Sequence, residues 1–153
     1  MSFSLVPFDQ HGVPLVAIPD LPAAIVANCE GTADLYRRVG FVPPWVGYVA
    51  VADGRAVGGG AFVGPPSDGV VEIAYYTLDG EEGKGYASRT AAALVAIARA
   101  ETPAVGLKAF TLQEENASTK ILRRLGFAVV GVAQDPDAGE VWEWRARERH
   151  EGL

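Results

Sequence analysis

The spacing of apolar residues along the 153-residue chain predicts three helices. Residues 21–38 have helical spacing, with Pro22 suited to a first turn and Gly40 to a helix end. A second helical stretch runs from about Gly85 to Ala100 and is broken at Pro103. The third, "ENASTKILRRLGF" (115–127), opens on helix-capping residues and closes on a glycine.

Shorter apolar runs between these stretches predict strands. "FSLVPF" and "VPLVAI" are expected as short strands or extended arms, separated by the turn "DQHG". "VGYVAVADGRAVGGGAFVG" is typical of a hairpin that turns at Asp53-Gly54. "VVEIAYYTL" and "VGLKAFTL" are expected as single strands, and "AVVGVA" and "EVWEWRAR" as a hairpin around "QDPDAG". The order predicts a mixed α/β chain in which hairpins flank one strand–helix–strand–helix unit.

Composition narrows the class of protein. Apolar residues make up 49% of the chain and charged residues 21%, as in ordinary globular domains, and the length fits one domain. One cysteine, Cys29, excludes an internal disulfide, and the scattered His11 and His150 offer no metal cluster, so no metal is expected. No signal peptide or membrane-spanning run is found, which favours a cytoplasmic protein that does not associate with membranes. The last residues, "RHEGL", are expected to be frayed.

Charge and glycine placement together suggest an anionic ligand. The net charge of −6 argues against nucleic acid as a partner. Six cations nevertheless share the elements around one glycine turn: Lys84, Arg89, Lys108, Lys120, Arg123 and Arg124. In that turn, Gly83-Lys84-Gly85, an apolar strand meets an alanine-rich helix, and such a turn presents free backbone N–H groups to an anion.

Three anion-binding loops could fit this turn. A Walker loop fails, because Tyr86 and Ala87 stand where Lys and Ser/Thr are required. A dinucleotide fingerprint is only partly matched, because Ser88 replaces its third glycine and the turn lies in mid-chain. The third alternative is the pyrophosphate of another cofactor.

The third alternative is supported by a family resemblance. "EGKGYA" resembles the Q/R-x-x-G-x-G/A acyl-CoA motif of the GNAT superfamily of N-acetyltransferases, with Glu82, Gly85 and Ala87 at the marked positions. Glu82 departs from the usual Gln or Arg and cannot donate to a phosphate when ionised. "ENASTKILRRLGF" and "VWEWRA" are similar to segments of the ribosomal-protein N-terminal acetyltransferase branch, and the resemblance covers about residues 48–147.

The resemblance implies a single domain over 1–153, with an atypical part at 1–45 and a cofactor-binding core at 46–147. It implies an α/β (α+β) fold with a mixed, mostly antiparallel twisted sheet flanked by helices. It also implies acetyl-CoA as cosubstrate, and a bulge in the "EIAYY" strand that frees backbone N–H groups near Tyr75 or Tyr76 for an oxyanion. The implied cofactor contacts are Tyr76, Thr77, Leu78, Gly83, Lys84, Gly85, Tyr86, Ala87, Ser88 and Asn116.

Two residues are candidates for the chemistry of the resembling family. Glu72, at the start of the strand before the glycine turn, is the candidate base, with Asp135 and Asp137 of the last hairpin loop as alternatives. The superfamily's usual tyrosine acid falls on Leu122, and the branch implies Ser118 instead. Ser118 is equally suited to cap the helix, with Thr119 as a rival cap.

The resulting hypothesis is an N-acetyltransferase that moves an acetyl group from acetyl-CoA directly to a primary amine. The acceptor is a protein or peptide N-terminus or a small-molecule amine. The sequence does not determine the oligomeric state, and the frequency of dimers in such families keeps a homodimer among the alternatives. Two alternatives stay open: a CoA-binding sensing or interaction module without catalysis, and a dinucleotide-binding domain.

Overall fold

A computed structural model of the chain describes residues 2–147. Over this range the chain forms seven strands and three helices. In chain order they are β1 (Phe3–Pro7), α1 (Ala23–Val39), β2 (Gly47–Ala52), β3 (Arg55–Phe62), β4 (Val70–Thr77), α2 (Tyr86–Glu101), β5 (Gly106–Thr111), α3 (Ala117–Arg124), β6 (Phe127–Asp135) and β7 (Gly139–Ala146). The segment "RHEGL" lies outside the described residues.

The helices begin and end where the sequence predicts. Pro22 precedes α1, and Gly40, at φ 91°, ends it and donates its N–H to the Tyr36 carbonyl oxygen. Asn116 caps α3 through a reciprocal capping box with Thr119. In the described part of the chain, no helix is long and apolar enough to cross a membrane.

Of the two alternatives expected for "VPLVAI", a short strand or an extended arm, the strand is wrong. "VPLVAI" does not extend into the sheet, and only Pro14 makes an isolated bridge to Phe8. Asp9 closes the intervening turn by accepting the backbone N–H groups of His11 and Val13. Leu15 donates its N–H to the Pro7 carbonyl oxygen at 2.9 Å, and the chain leaves the sheet after this bond.

The seven strands form one sheet in the order β1-β2-β3-β4-β5-β7-β6. Every neighbouring pair is antiparallel except β4 and β5, which confirms the predicted mixed, mostly antiparallel sheet. The β2–β3 hairpin turns at Asp53 and Gly54, both at positive φ, as the Asp-Gly dipeptide predicts.

The central parallel pair separates soon after it forms. Register between β4 and β5 runs only from Val70↔Gly106 to Glu72↔Lys108. Beyond it β4 continues to Thr77 and β5 to Thr111 without pairing to each other, while each keeps its other neighbour. The sheet is therefore open between the two strands.

Helices α1 and α2 cover opposite faces of the sheet. A Cβ added at Gly60 would lie 2.7 Å from Thr90 and 2.9 Å from Leu94 of α2, whereas one added at Gly59 would meet the ring of Tyr76 on the other face. The close approach of α2 fills the core on its side, where Leu94, Ile73, Leu107, Leu122 and Trp144 are fully buried. The cores on both faces fix β4 in the middle of the domain.

Candidate active site

The backbone of β4 is unpaired on the side from which β5 departs. Val63 donates its N–H to the Glu72 carbonyl oxygen, and Leu78 donates to that of Val57, so even-numbered residues of β4 direct their backbone groups to β3. By alternation, the N–H and C=O groups of Tyr75 and Thr77 face the opening. Among the predicted contacts Tyr76, Thr77 and Leu78, Thr77 alone has backbone groups in this direction.

The expected bulge in β4 is absent. The register between β3 and β4 runs without a shift from Phe62↔Ile73 to Gly58↔Thr77. The shifts that the sheet does contain lie in the β2–β3 and β6–β7 pairs. The free backbone groups of β4 therefore arise because its neighbour leaves and not because β4 is bulged.

The glycine turn after β4 exposes backbone at the start of α2. Gly83 and Gly85 have φ of 79° and 82°, and Gly85 is the N-cap residue of α2 in the left-handed conformation. A Cβ at either glycine would find nothing within 4 Å, so the space above both is open. The free N–H groups of the first turn of α2 therefore face an accessible volume, as anion binding requires.

A cavity of about 270 Å³ lies between this turn and α3. Six of the predicted cofactor residues line it: Thr77, Gly83, Gly85, Tyr86, Ala87 and Ser88. The side chain of Tyr86 is nevertheless buried and stacks on Phe3, so this residue offers its backbone to the cavity.

Two of the six cations noted in the sequence, neither of them among the predicted cofactor contacts, also line this cavity. Lys120 and Arg124 lie four residues apart and therefore on one side of α3. The four-residue spacing indicates that both cations lie on one side of a helix. Only the docking of α3 beside α2 shows that this side faces the cavity. In contrast, Lys84, a predicted contact, places its Nζ 3.3 Å from Glu81.

Glu82 closes the glycine turn instead of offering a donor. Both of its carboxylate oxygens lie 3.2 Å from the Gly80 backbone nitrogen, which donates to them. The residue that departs from the motif thus has a local structural contact, and the backbone N–H groups of the turn supply the donors.

Asn116 uses its side chain within the α3 cap. Its carboxamide oxygen accepts the Thr119 N–H at 3.1 Å, and its Nδ2 lies 3.4 Å from Glu114. The Thr119 hydroxyl accepts the Asn116 N–H at 2.9 Å. Because these two residues form the cap, the Ser118 hydroxyl does not cap the helix.

Ser118 instead contacts Tyr75 of β4. The Tyr75 hydroxyl lies 3.3 Å from the Ser118 carbonyl oxygen and 3.4 Å from its Oγ. Burial raises the pKa of Tyr75, against a smaller opposing effect of the contact with Ser118. The phenol therefore stays neutral and able to donate at physiological pH.

Glu72 lies where β4 and β5 separate. It is opposite Lys108 in the last register pair and is half-buried. Burial raises its pKa; Lys108 opposes this effect and Asp135 adds to it. Its side chain lies on the same face of β4 as those of Ala74 and Tyr76, because alternate residues of a strand share a face.

The two loop carboxylates, Asp135 and Asp137, lie in a different environment from the half-buried Glu72. Asp135 accepts backbone N–H groups from Asp137 at 2.8 Å and Ala138 at 2.9 Å, and these bonds lower its pKa. Asp137 is exposed in the same turn. Leu122, at the usual tyrosine position, is fully buried in the core.

A second cavity, of about 210 Å³, lies on the α1 face of β4 and is lined by Ala74, Tyr75 and Tyr76 together with residues of α1, β2 and β3. The two cavities therefore approach each other along β4, where the backbone groups of Tyr75 and Thr77 are unpaired. This arrangement can bring two ligands together from opposite faces of the sheet.

Comparison with known proteins identifies relatives of this arrangement. A family model described as an acetyltransferase (GNAT) domain matches residues 21–128. No protein of curated function matches the sequence.

Several solved structures share the fold at low sequence identity. RimL, a ribosomal L7/L12 alpha-N-protein acetyltransferase, is similar in its apo form with a TM-score of 0.69 and 17% identity over 95% of this chain and 92% of that one. RimL in complex with coenzyme A gives a TM-score of 0.63 and 18% identity over 80% and 70% of the two chains. An IAA acetyltransferase from Bacillus cereus gives 0.68 and 15% over 97% and 100%.

Proposed function

The chain belongs to the GNAT acetyltransferase family, and on this basis we propose that it transfers the acetyl group of acetyl-CoA directly to a primary amine. The observation that carries the proposal is the open glycine turn at the start of α2, facing a cavity that α3 completes with Lys120 and Arg124. Acetyl-CoA is the acetyl donor and supplies a reactive thioester.

The cavity between α2 and α3 suits the phosphates of coenzyme A. Gly83 and Gly85 leave room for close approach to the backbone, and the helix N-terminus favours negative charge. Lys120 and Arg124 add two positive side chains to the same cavity. The unpaired backbone groups of Thr77 would bind the amide-containing arm, while Ser88 and Ala87 lie in the first turn of α2.

Glu72 would serve as the base for the acceptor amine. An α-amine with a pKa near ~8 costs roughly 1.4 kcal/mol to deprotonate at pH 7, and a lysine amine roughly 4.6 kcal/mol. The raised pKa of Glu72 brings it closer to working pH, which improves a general base. Asp135 is a weaker candidate, because its turn hydrogen bonds stabilise the ionised form.

Ser118 would protonate the departing sulfur, with Tyr75 beside it. In the balanced reaction the amine nitrogen bonds to the acetyl carbon as the carbon–sulfur bond breaks. Glu72 accepts the proton that the amine loses, and Ser118 supplies the proton that the sulfur gains. Exchange with water restores both side chains.

For the acceptor we favour an α-amine. It is the cheaper amine to deprotonate, and RimL, which shares the fold, is an alpha-N-protein acetyltransferase. A small-molecule amine with a similar pKa satisfies the same chemistry.

A CoA-binding module without catalysis is the second candidate, favoured by the buried Leu122 at the position of the usual acid. To separate the two, the protein is incubated with acetyl-CoA and a panel of peptides and amines, and free thiol and acetylated product are measured. Thiol release matched by product supports the enzyme. CoA binding without product from any acceptor supports the module.

A further inference from the structure

The cavity on the α1 face of β4 is bounded mainly by aromatic and uncharged polar side chains. Side chains of Phe8, Asn28, Thr32 and Tyr76 line it. Tyr48 and Tyr75 pair with Gly60 and share its α2 face, so they contribute backbone, and the other lining residues are glycine or alanine. Among the described residues that line it, none carries an ionisable acid or base other than the tyrosine phenols. Burial raises the pKa of Tyr76, so the phenol in the cavity wall is neutral at pH 7.

Small residues of the sheet create the space below α1. A Cβ at Gly59 would lie 2.8 Å from both the Cε1 and the hydroxyl oxygen of Tyr76, so glycine leaves the room that this ring occupies over β3. Asn28 of α1 lines the cavity beside Tyr76 and opposes the rise in the pKa of Tyr76 that burial causes. The ring and the amide together form one wall of the cavity.

The volume of about 210 Å³ limits what can enter. It is below the ~300–1,000 Å³ of pockets that hold drug-sized ligands. A group of about one amino-acid side chain fits, whereas an aminoglycoside-sized acceptor does not.

The lining also limits the charge that the acceptor can carry into the cavity. A second ammonium group on the acceptor would lose water without meeting a carboxylate, and the faces of aromatic rings recover only part of the lost hydration. Glu72 lies beyond Ala74 on the same face, outside the cavity lining, where it serves the reacting amine.

We propose that this cavity selects the acceptor: it takes an uncharged, apolar group of side-chain size attached to the amine, and it rejects diamines and polyamines. The inference rests on the proposed function, since it assigns the acceptor of the same reaction. We assign Asn28 as the specificity-determining residue, because it is a polar α1 side chain that lines the cavity beside Tyr76.

An isosteric pair of amines tests the proposal. Hexan-1-amine and pentane-1,5-diamine have the same number of heavy atoms and differ in a terminal methyl against an ammonium group. We expect kcat/KM to be at least about tenfold higher for hexan-1-amine. Equal or better use of the diamine would overturn the proposal.

Asn28→Asp places a carboxylate at the cavity wall on an exposed helical position, where little loss of stability is expected. It should reduce the preference for hexan-1-amine at least about threefold. Ala27→Asp adds the same charge to the neighbouring exposed position, which does not line the cavity, and should leave the preference unchanged. An equal effect of both variants, or none from Asn28→Asp, contradicts the assignment.

Calorimetric titration of both amines into the protein saturated with CoA gives a readout independent of transfer. If CoA binds and hexan-1-amine binds more tightly than the diamine, the cavity assignment is supported, whether or not acetyl transfer is detected. If transfer is absent in that case, only the proposed catalysis is contradicted. If transfer occurs but the diamine binds as tightly as hexan-1-amine, the cavity assignment is wrong and the proposed catalysis is not affected. If neither amine binds measurably, the cavity assignment is also wrong.

Discussion

The hydroxyl of Tyr75 on β4 lies 3.4 Å from the Ser118 side-chain oxygen at the start of α3, so two hydroxyl groups link β4 to α3. The helix cap does not require Ser118, because Asn116 and Thr119 form it. The contact places a neutral proton donor beside the residue proposed to protonate the departing sulfur.

Ser118→Ala is expected to lower kcat roughly 10²-fold, because a positioned proton donor contributes at about that level. The dissociation constant for CoA should change less than about twofold, and thermal stability should change little, since the cap is intact. Tyr75→Phe keeps the ring and should have a smaller effect on kcat. Steady-state kinetics measures kcat, and calorimetric titration measures the dissociation constant for CoA. An unchanged kcat in Ser118→Ala would show that this residue has no role in the mechanism.

Glu72→Gln should change the pH dependence of transfer. Below the raised pKa of Glu72, both the carboxylate and the amine must lose a proton, so log kcat/KM should rise with a slope near ~2. Above that pKa, and up to the pKa of the amine, only the amine still titrates and the slope falls to about 1. The variant should show a slope near ~1 throughout and a lower rate. A wild-type profile without the steeper region would argue against Glu72 as the base.

The same substitution should alter stability with a defined sign. Burial raises the folded-state pKa of Glu72 above the ordinary 4.5, so folding favours its protonated form. This stability is present below pH 4.5 and is lost as pH rises through the folded pKa. Glu72→Gln should therefore raise the melting temperature at pH 7–8 but not at pH 3.5. Glu101→Gln, at the exposed end of α2, is the matched control.

Gly85→Ala tests the glycine turn. Alanine at φ 82° should cost about 1 kcal/mol of folding free energy and place a methyl group in the open cradle. Gly54→Ala in the β2–β3 turn is matched, because it has the same φ of 82° and equally open surroundings. Both variants should lose similar stability, but CoA affinity should fall at least roughly tenfold only in Gly85→Ala. Equal CoA affinity in the two variants would show that the glycine turn does not bind the cofactor.

Lys120→Ala and Arg124→Ala should each weaken CoA binding about three- to tenfold, most strongly at low ionic strength. Both side chains are exposed, so their loss should not destabilise the fold. Arg38→Ala, an exposed cation on α1 away from the cavity, should leave CoA affinity unchanged. Salt-dependent titration of the three variants makes the comparison, and a similar small effect in all three would indicate only a general charge effect.

The features readable from sequence are those fixed by local chemistry. Asp53-Gly54 predicts its hairpin because the turn requires positive φ at both residues, and Gly85 predicts the start of α2 for a similar reason. Asn116, Ser118 and Thr119 all had capping chemistry, and only the backbone geometry shows which residues form the cap.

Features that depend on neighbours far along the chain could not be predicted. The "VPLVAI" segment has strand composition, but its pairing with β1 ends at Leu15, which donates to the Pro7 carbonyl oxygen. Lys120 and Arg124 become part of the cofactor cavity only because α3 docks beside α2. The space beneath Asn28 requires Gly59 opposite Tyr76, two positions 17 residues apart whose pairing is set by the β3–β4 register.

Thermal unfolding with acetyl-CoA, CoA and NAD added separately tests the central claim most directly. A ligand at ~100 times its dissociation constant stabilises the fold by roughly 2.7 kcal/mol, which for a chain of this size raises the melting temperature by roughly 5–10 °C. The account predicts this increase with both forms of coenzyme A and none with NAD. An unchanged melting temperature with acetyl-CoA and CoA would contradict the assignment of the glycine turn, and with it the proposed reaction.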